Sequence, residues 1–250
     1  MADVRQTKLG DLFQSSAFKI PRYQRGYAWE EQQVYDLLED IEYSYEQRQN
    51  EDSPNFTHYF GTLVMLDKGI INGANNDFEA FDVIDGQQRM TTVSILMNCI
   101  NNELESIDFD KLHEYDEEIV NKLHSDNRGD FIIELNTERI ELDSKNDSVF
   151  KKLVIQNEDL DEIPTETVSQ RRLVNAKRVM RSWLQTKKEF YTTEDSQDGY
   201  YEYLREIQKI IRTGLEITQY TVEDETESGR LFEVINDRGK DLTNLDRIKS

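Results

Sequence analysis

Asp85, Gly86, Gln87, Gln88 and Arg89 stand where the apolar, strand-like run from Phe81 to Ile84 gives way to a helical pattern beginning near Met90. A helix that starts directly after a strand points unpaired N–H groups outward and carries the positive end of its dipole there, which favours anions. Gly86 lets a phosphate approach the backbone, and Arg89 adds a forked donor. Gln87 and Gln88 bring neutral donors and acceptors suited to a phosphate oxygen, a base edge or an attacking water, while Asp85 suits a divalent ion beside a polyphosphate. Together the five fit a nucleotide better than a simple anion. A purely structural reading covers the same residues: Asp85 caps the helix, Gln88 at N3 completes a capping box, and Asp85 with Arg89 forms an ordinary i,i+4 pair.

Two more polar, arginine-bearing stretches sit at turns between apolar elements. IPRYQRGYAW carries Arg22, Tyr23, Gln24, Arg25, Tyr27 and Trp29, and FEVINDRGKDL carries Glu233, Asn236, Asp237, Arg238 and Lys240. Three such corners in an acidic chain can converge on a polyanion, with Glu233 or Asp237 joining Asp85 at a metal. Against this stands the reading in which Arg22 and Arg25 are solvated, Tyr23, Tyr27 and Trp29 belong to the core, and Arg238 offsets acidic surface.

The elements that must position these corners follow from periodicity. Residues 7–16 read as a short helix leading into Ile20-Pro21, where the backbone is pushed to an extended form. Val34, Leu37, Leu38, Ile41 and Tyr45 recur at helical spacing, as do Met90, Val93, Leu96, Met97 and Ile100 after the corner. HYFGTLVML at 58–66 and FEAFDVI at 78–84 read as two strands of one sheet. From 102 to 130 the chain turns acidic, with a helix expected in DKLHEYDEEIVNKL, then short strands or a hairpin in FIIEL and RIELD. Leu173, Ala176, Met180, Trp183 and Leu184 share one helical face; Tyr200, Tyr203, Leu204, Ile207 and Ile211 share another. GLEITQYTV reads as a strand, and RLFEVINDRGKDLTNLDRIKS as helix, turn, helix. The chain stops inside that last helix, so the polypeptide is expected to continue beyond residue 250.

Fifty-one Asp and Glu against thirty Lys and Arg give a formal charge of -21, a poor footprint for a protein that coats nucleic acid non-specifically, so any DNA contact is expected to be local or made by a part outside this chain. The single cysteine, Cys99, rules out a disulfide framework or thiolate cluster within one chain and points to a reducing cytoplasm. No apolar signal core opens the chain, and no apolar run approaches the roughly 18 residues needed to span a bilayer, so no membrane partner is expected. A P-loop, G-x-x-x-x-G-K-[ST], is absent, so any phosphate cradle must be the strand-to-helix corner.

IPRYQRGYAW, YFGTLVM, FDVIDGQQRMTTVSILM and LFEVINDRGKDLTNLDRIKS, in this order and at these separations, resemble the DUF262 domain, the amino-terminal part of GmrSD-type modification-dependent restriction enzymes. The resemblance runs from about residue 9 to residue 250, with 102–212 matching only as an acidic, helical insertion; the implied core is 1–101 with 213–250. It implies an α+β, ParB/sulfiredoxin-like fold: a small mixed sheet with surrounding helices, presenting a helix amino terminus to nucleotide phosphates. Gln24-Arg25, Gly86 to Arg89 and Asn236 to Arg238 resemble the boxes that surround the nucleotide in ParB-like proteins, although Asn236 and Arg238 are two apart rather than three.

For this chain the resemblance implies binding and hydrolysis of an NTP with Mg or another divalent cation. Asp85, Gln87, Gln88 and Arg89 would be catalytic, Tyr23, Gln24, Arg25, Gly86, Asn236 and Arg238 would bind nucleotide, and Asp85 with Glu233 would hold the metal. Arg22, Tyr27 and Trp29 would face DNA. The implied partners are modified, phage-type DNA and a nuclease domain or subunit of the HNH kind, and the fold admits a homodimer. His58, His113 and His124 form no HNH arrangement, so this chain is expected not to cut DNA itself. Two other readings stay open: a non-hydrolysing module that reads modified DNA through Tyr23, Tyr27 and Trp29, and a ParB-like nucleotide switch or adaptor.

Overall fold

The computed structural model describes residues 3–73, 76–134, 137–142 and 145–224. Glu233, Asn236, Asp237 and Arg238, with the helix, turn, helix expected around them, lie outside the described residues. The described chain runs β1 (Asp3–Lys8), α1 (Leu9–Ser15), β2 (Ser16–Lys19), α2 (Glu31–Gln49), β3 (His58–Asn72), β4 (Asp77–Asp85) and α3 (Gln87–Glu105). It continues with α4 (Glu117–Phe131), β5 (Ile133–Glu134), β6 (Thr137–Glu138), β7 (Ile140–Glu141), α5 (Asp147–Val154), α6 (Val168–Tyr191), α7 (Asp198–Lys209) and β8 (Leu215–Val222).

Six strands form one mixed sheet in the order β1-β8-β3-β4-β2-β7, and β5 pairs with β6 in a separate ribbon. This is the α+β class, a mixed sheet with surrounding helices. β2 and β4 are parallel, with Phe18 opposite Phe81, whereas β3 runs antiparallel to β4 and parallel to β8. The carboxyl ends of β2 and β4 therefore lie at the same end of the sheet as the starts of β3 and β8. Both β2 and β4 lead out of that end into the polar corners singled out in the sequence.

Apolar spacing explains which faces are buried. α3 is buried on nearly every side, as a helix enclosed by others must be. Its Leu96 and Ile100 belong to one hydrophobic core with Leu173 and Met180 of α6 and Tyr200 and Tyr203 of α7. α6 is opened by a capping box between Thr167 and Gln170.

The segment 102–212 shares that core. Phe131 at the end of α4 packs on Phe13 of α1 at 4.7 Å, and β7 adds to the main sheet beside β2. Arg139, 1% exposed, ties these parts together: it donates to the Gly129 carbonyl at 2.7 Å and the Ser16 carbonyl at 3.4 Å, and pairs with Glu134 at 2.9 Å. Its guanidinium also lies 4.0 Å from the centre of the Phe78 ring, so a buried charge is both paired and stacked.

The helix expected over 110–123 starts later, at Glu117, and runs on to Phe131. Ahead of it, the Asp198 carboxylate accepts from the backbone N–H groups of His113 at 3.0 Å and Glu114 at 3.1 Å, which holds that stretch as a loop.

Candidate nucleotide-binding corner

Gly86 joins β4 to α3 with φ 92° and ψ 1°, the left-handed region that favours glycine. A Cβ there would stand 2.1 Å from Cδ2 of Leu63 and 3.3 Å from the Thr62 carbonyl oxygen. The turn is thus both conformationally and sterically reserved for glycine.

Neither structural explanation of the pentapeptide holds at this turn. Gly86 itself is the N-cap, and among the described residues no side chain caps the helix. Gln88 is the second helical residue and takes part in no capping box. Its Oε1 accepts from the Ala28 N–H at 2.7 Å, and its Nε2 donates to the Gly26 carbonyl at 3.3 Å. Arg89 forms no close ion pair with Asp85; it donates through Nη2 to the Thr62 carbonyl of β3. Among the described residues, Asp85 accepts no side-chain hydrogen bond. The first turn of α3 therefore presents its N–H groups uncapped, beside a carboxylate and a guanidinium.

Arg89 is half-buried and lies across Gly61 of β3, where a Cβ would stand 3.2 Å from the Arg89 Cζ and the φ of 113° also favours glycine. Its Nε is closed off from solvent and has no hydrogen-bond partner among the described residues. Burial pulls the guanidinium below the usual arginine range, with the Asp85 carboxylate and Tyr59 opposing. An anion at the helix end would complement this charge.

The loop between β2 and α2 is sewn to the corner by amides. Gln24 donates to the Ile84 carbonyl at 2.9 Å and accepts from Gln87 Nε2 at 3.2 Å. Both ends of Gln24 and both ends of Gln88 are thereby engaged in positioning, while Oε1 of Gln87 accepts no hydrogen bond among the described residues. Tyr27, expected to face DNA, is instead 5% exposed and exchanges a hydrogen bond with Thr92 at 2.8 Å; burial raises its phenol well above the ordinary range, with the Thr92 bond opposing. Trp29 packs partly buried against the core. Tyr23 is 69% exposed, and Arg22 and Arg25 are exposed beside it. A cavity of about 10 Å³ between loop and helix, bordered by Arg25, Gln87 and Gln88, has room for about one water molecule. A ligand at this corner must lie outside that seam.

The stretch of chain that holds IPRYQRGYAW and DGQQR lies within a span matched by a known family. A model of the N-terminal domain of GmrSD restriction endonucleases matches residues 9–250. The chain belongs to this family. No curated protein matches it.

In this GmrSD N-terminal domain, the described residues contain no group of three His, Cys, Asp or Glu side chains placed to hold a metal, and no described helix is long and apolar enough to cross a membrane. Two participants at the corner escaped sequence reasoning. Tyr59, half-exposed, bonds Thr62 Oγ1 at 3.0 Å and lies beside Arg89; Thr92 links Tyr27 to the Gln88 carbonyl, donating to it at 2.7 Å. Gly61 inside YFGTLVM was the available signal, because a glycine interrupting a strand marks a bulge or a close approach.

Proposed function

We propose that this GmrSD N-terminal domain binds and hydrolyses a nucleoside triphosphate at the Asp85–Arg89 corner, and that turnover and DNA sensing are coupled to a nuclease outside this chain. The observation that carries the reading is the uncapped start of α3, backed by the half-buried Arg89. Backbone N–H groups after Gly86 would cradle phosphate, and Arg89 would neutralise charge developing on it. Gln87 Oε1 and Asp85 are the acceptors left to orient an attacking water. Gln24 and Gln88 would act by holding the loop, bringing Tyr23 and Arg25 over the base and phosphates.

The donor set at the corner fits Mg²⁺ held in part by substrate: one carboxylate, Asp85, without a competing hydrogen bond, suits an ion that binds through one or two carboxylates plus phosphates. Asp85, with Glu233 as second ligand, would hold the ion, which would supply charge neutralisation between phosphates. Asn236 and Arg238 complete the proposed nucleotide contacts, and Arg22 with Trp29 the DNA-facing side. The family makes DNA and a nuclease, of the HNH kind in this proposal, the partners to seek. The alternative aromatic platform of Tyr23, Tyr27 and Trp29 for reading modified DNA loses a member, because the Tyr27 ring is inside the fold.

The test is Mg-dependent hydrolysis of the four NTPs by the purified chain beside Arg89→Ala. Turnover lost in a variant that keeps the parental circular dichroism and melting profile is expected. Equal turnover in the two proteins would overturn the assignment.

A further inference from the structure

α6 departs from the charge of the molecule that contains it. In a chain of net charge -21, its 24 residues carry seven Lys and Arg against a single Glu. Four of the seven are committed inside the fold: Lys177 is buried, Lys187 pairs with Glu42 at 2.7 Å, Lys188 with Glu103 at 3.1 Å, and Arg172 with Glu30. Arg171 and Arg181 are exposed and form no ion pair among the described residues. Arg178 pairs at 3.0 Å with Asp161, and both side chains are open to solvent at 53% and 87%.

Arg171, Asn175 and Arg178 fall at i, i+4 and i+7, one stripe of the helix. The stripe lines a groove of about 450 Å³ whose opposite wall is the segment between α5 and α6, where Leu160 and Ile163 are buried; the exposed Val168 at the start of α6 supplies apolar surface. The segment 155–167 is rich in carboxylates, but Asp161 is the one that lines the groove.

We infer that this groove seats the sugar-phosphate backbone of duplex DNA. Arg171 and Arg178 are separated by about 10 Å along the helix at about 1.5 Å per residue, and a DNA strand offers a phosphate about every 3.4 Å of axis. At that separation the two guanidiniums can engage separate phosphates of a linear polyanion, rather than the compact triphosphate expected at the corner. Guanidinium forks suit phosphate oxygens, and the exposed side chain of Val168 suits deoxyribose. Asp161 is the competitor that DNA must displace from Arg178, an exchange that is easy because exposed pairs are weak. The choice of DNA as the polyanion rests on the proposed function; the groove and its charge do not.

The experiment is titration of a fluorescently labelled plain duplex with the full chain over a range of salt concentrations. Arg171→Ala and Arg178→Ala, each with parental melting behaviour, are expected to weaken binding and to lower the slope of log K against log salt by about one each. Asp161→Asn is expected to tighten binding. Affinities and slopes equal to the parent in all three variants would overturn the inference, as would a parent that does not bind the duplex. NTP hydrolysis measured on the same preparations separates the two claims, since it reads the corner and is expected to be unchanged by these three substitutions.

Discussion

Gly86 turns the chain at φ 92° directly against Leu63 and the Thr62 carbonyl. Gly86→Ala combines an unfavourable backbone region with a contact that a buried leucine must yield, so a loss of about 1–3 kcal/mol is expected in urea unfolding; an unchanged midpoint would contradict the strained-turn account. The residue types at the corner were legible in sequence because a glycine between a strand pattern and a helix pattern, followed by an arginine, restricts the chemistry. Their partners were not. Gln88 meets Ala28 across 60 positions, and Arg89 turns away from its i,i+4 neighbour Asp85 to a carbonyl on β3. Local spacing could not choose between those bonds and a capped helix, since both satisfy the same side chains. Tyr27 was misplaced for a related reason: an aromatic ring in a polar loop suits a base or a core equally, and the Thr92 hydroxyl that draws it inward lies 65 positions away.

At the scale of elements, the loop after β2 and the first turn of α3 behave as one unit because amide side chains bridge them. Gln88→Ala removes both bonds and leaves the Ala28 N–H and Gly26 carbonyl without these partners, at a cost of about 1–3 kcal/mol locally. The expected outcome is faster hydrogen exchange at 26–28 and a raised KM for NTP; exchange equal to the parent would show that the loop is held by other means. A second junction, α7 against the stretch before α4, rests on Asp198. Burial raises its carboxyl, but hydrogen bonds from the Ser196 hydroxyl and the Glu114 and His113 backbone, with His113 charge, outweigh this and hold it below the ordinary range. A carboxyl depressed in the folded state stabilises fully above its unfolded value and loses that contribution as pH falls through the folded value. Asp198→Asn is therefore expected to melt earlier than the parent at neutral pH, with the gap closing in acid; a gap independent of pH would contradict the linkage. Long periodic elements, α2, α3, α6 and α7, and the strands β3, β4 and β8 were legible from apolar spacing. β1 was not, because DVRQTK is a polar edge strand whose order comes from pairing with β8, and β2 and α5 are too short for periodicity to declare them.

Across the whole molecule, the mixed topology brings separate sequence stretches to one end of a sheet. Arg25 and Arg89 border the corner, while Arg171 and Arg178 line the groove on α6. The two proposals place nucleotide chemistry and polyanion contact on different surfaces, joined by α2: its preceding residue Glu30 pairs with Arg172, and its own Glu31 accepts from Asn175 at 2.8 Å. The central claim is that the open amino end of α3 is the phosphate cradle, and amide hydrogen exchange with and without Mg-NTP tests it most directly. Protection concentrated at the amides of Gln87, Gln88 and Arg89, extending to the loop at 21–28, is the result this account predicts. Nucleotide binding that leaves those amides exchanging at their free rate would contradict it.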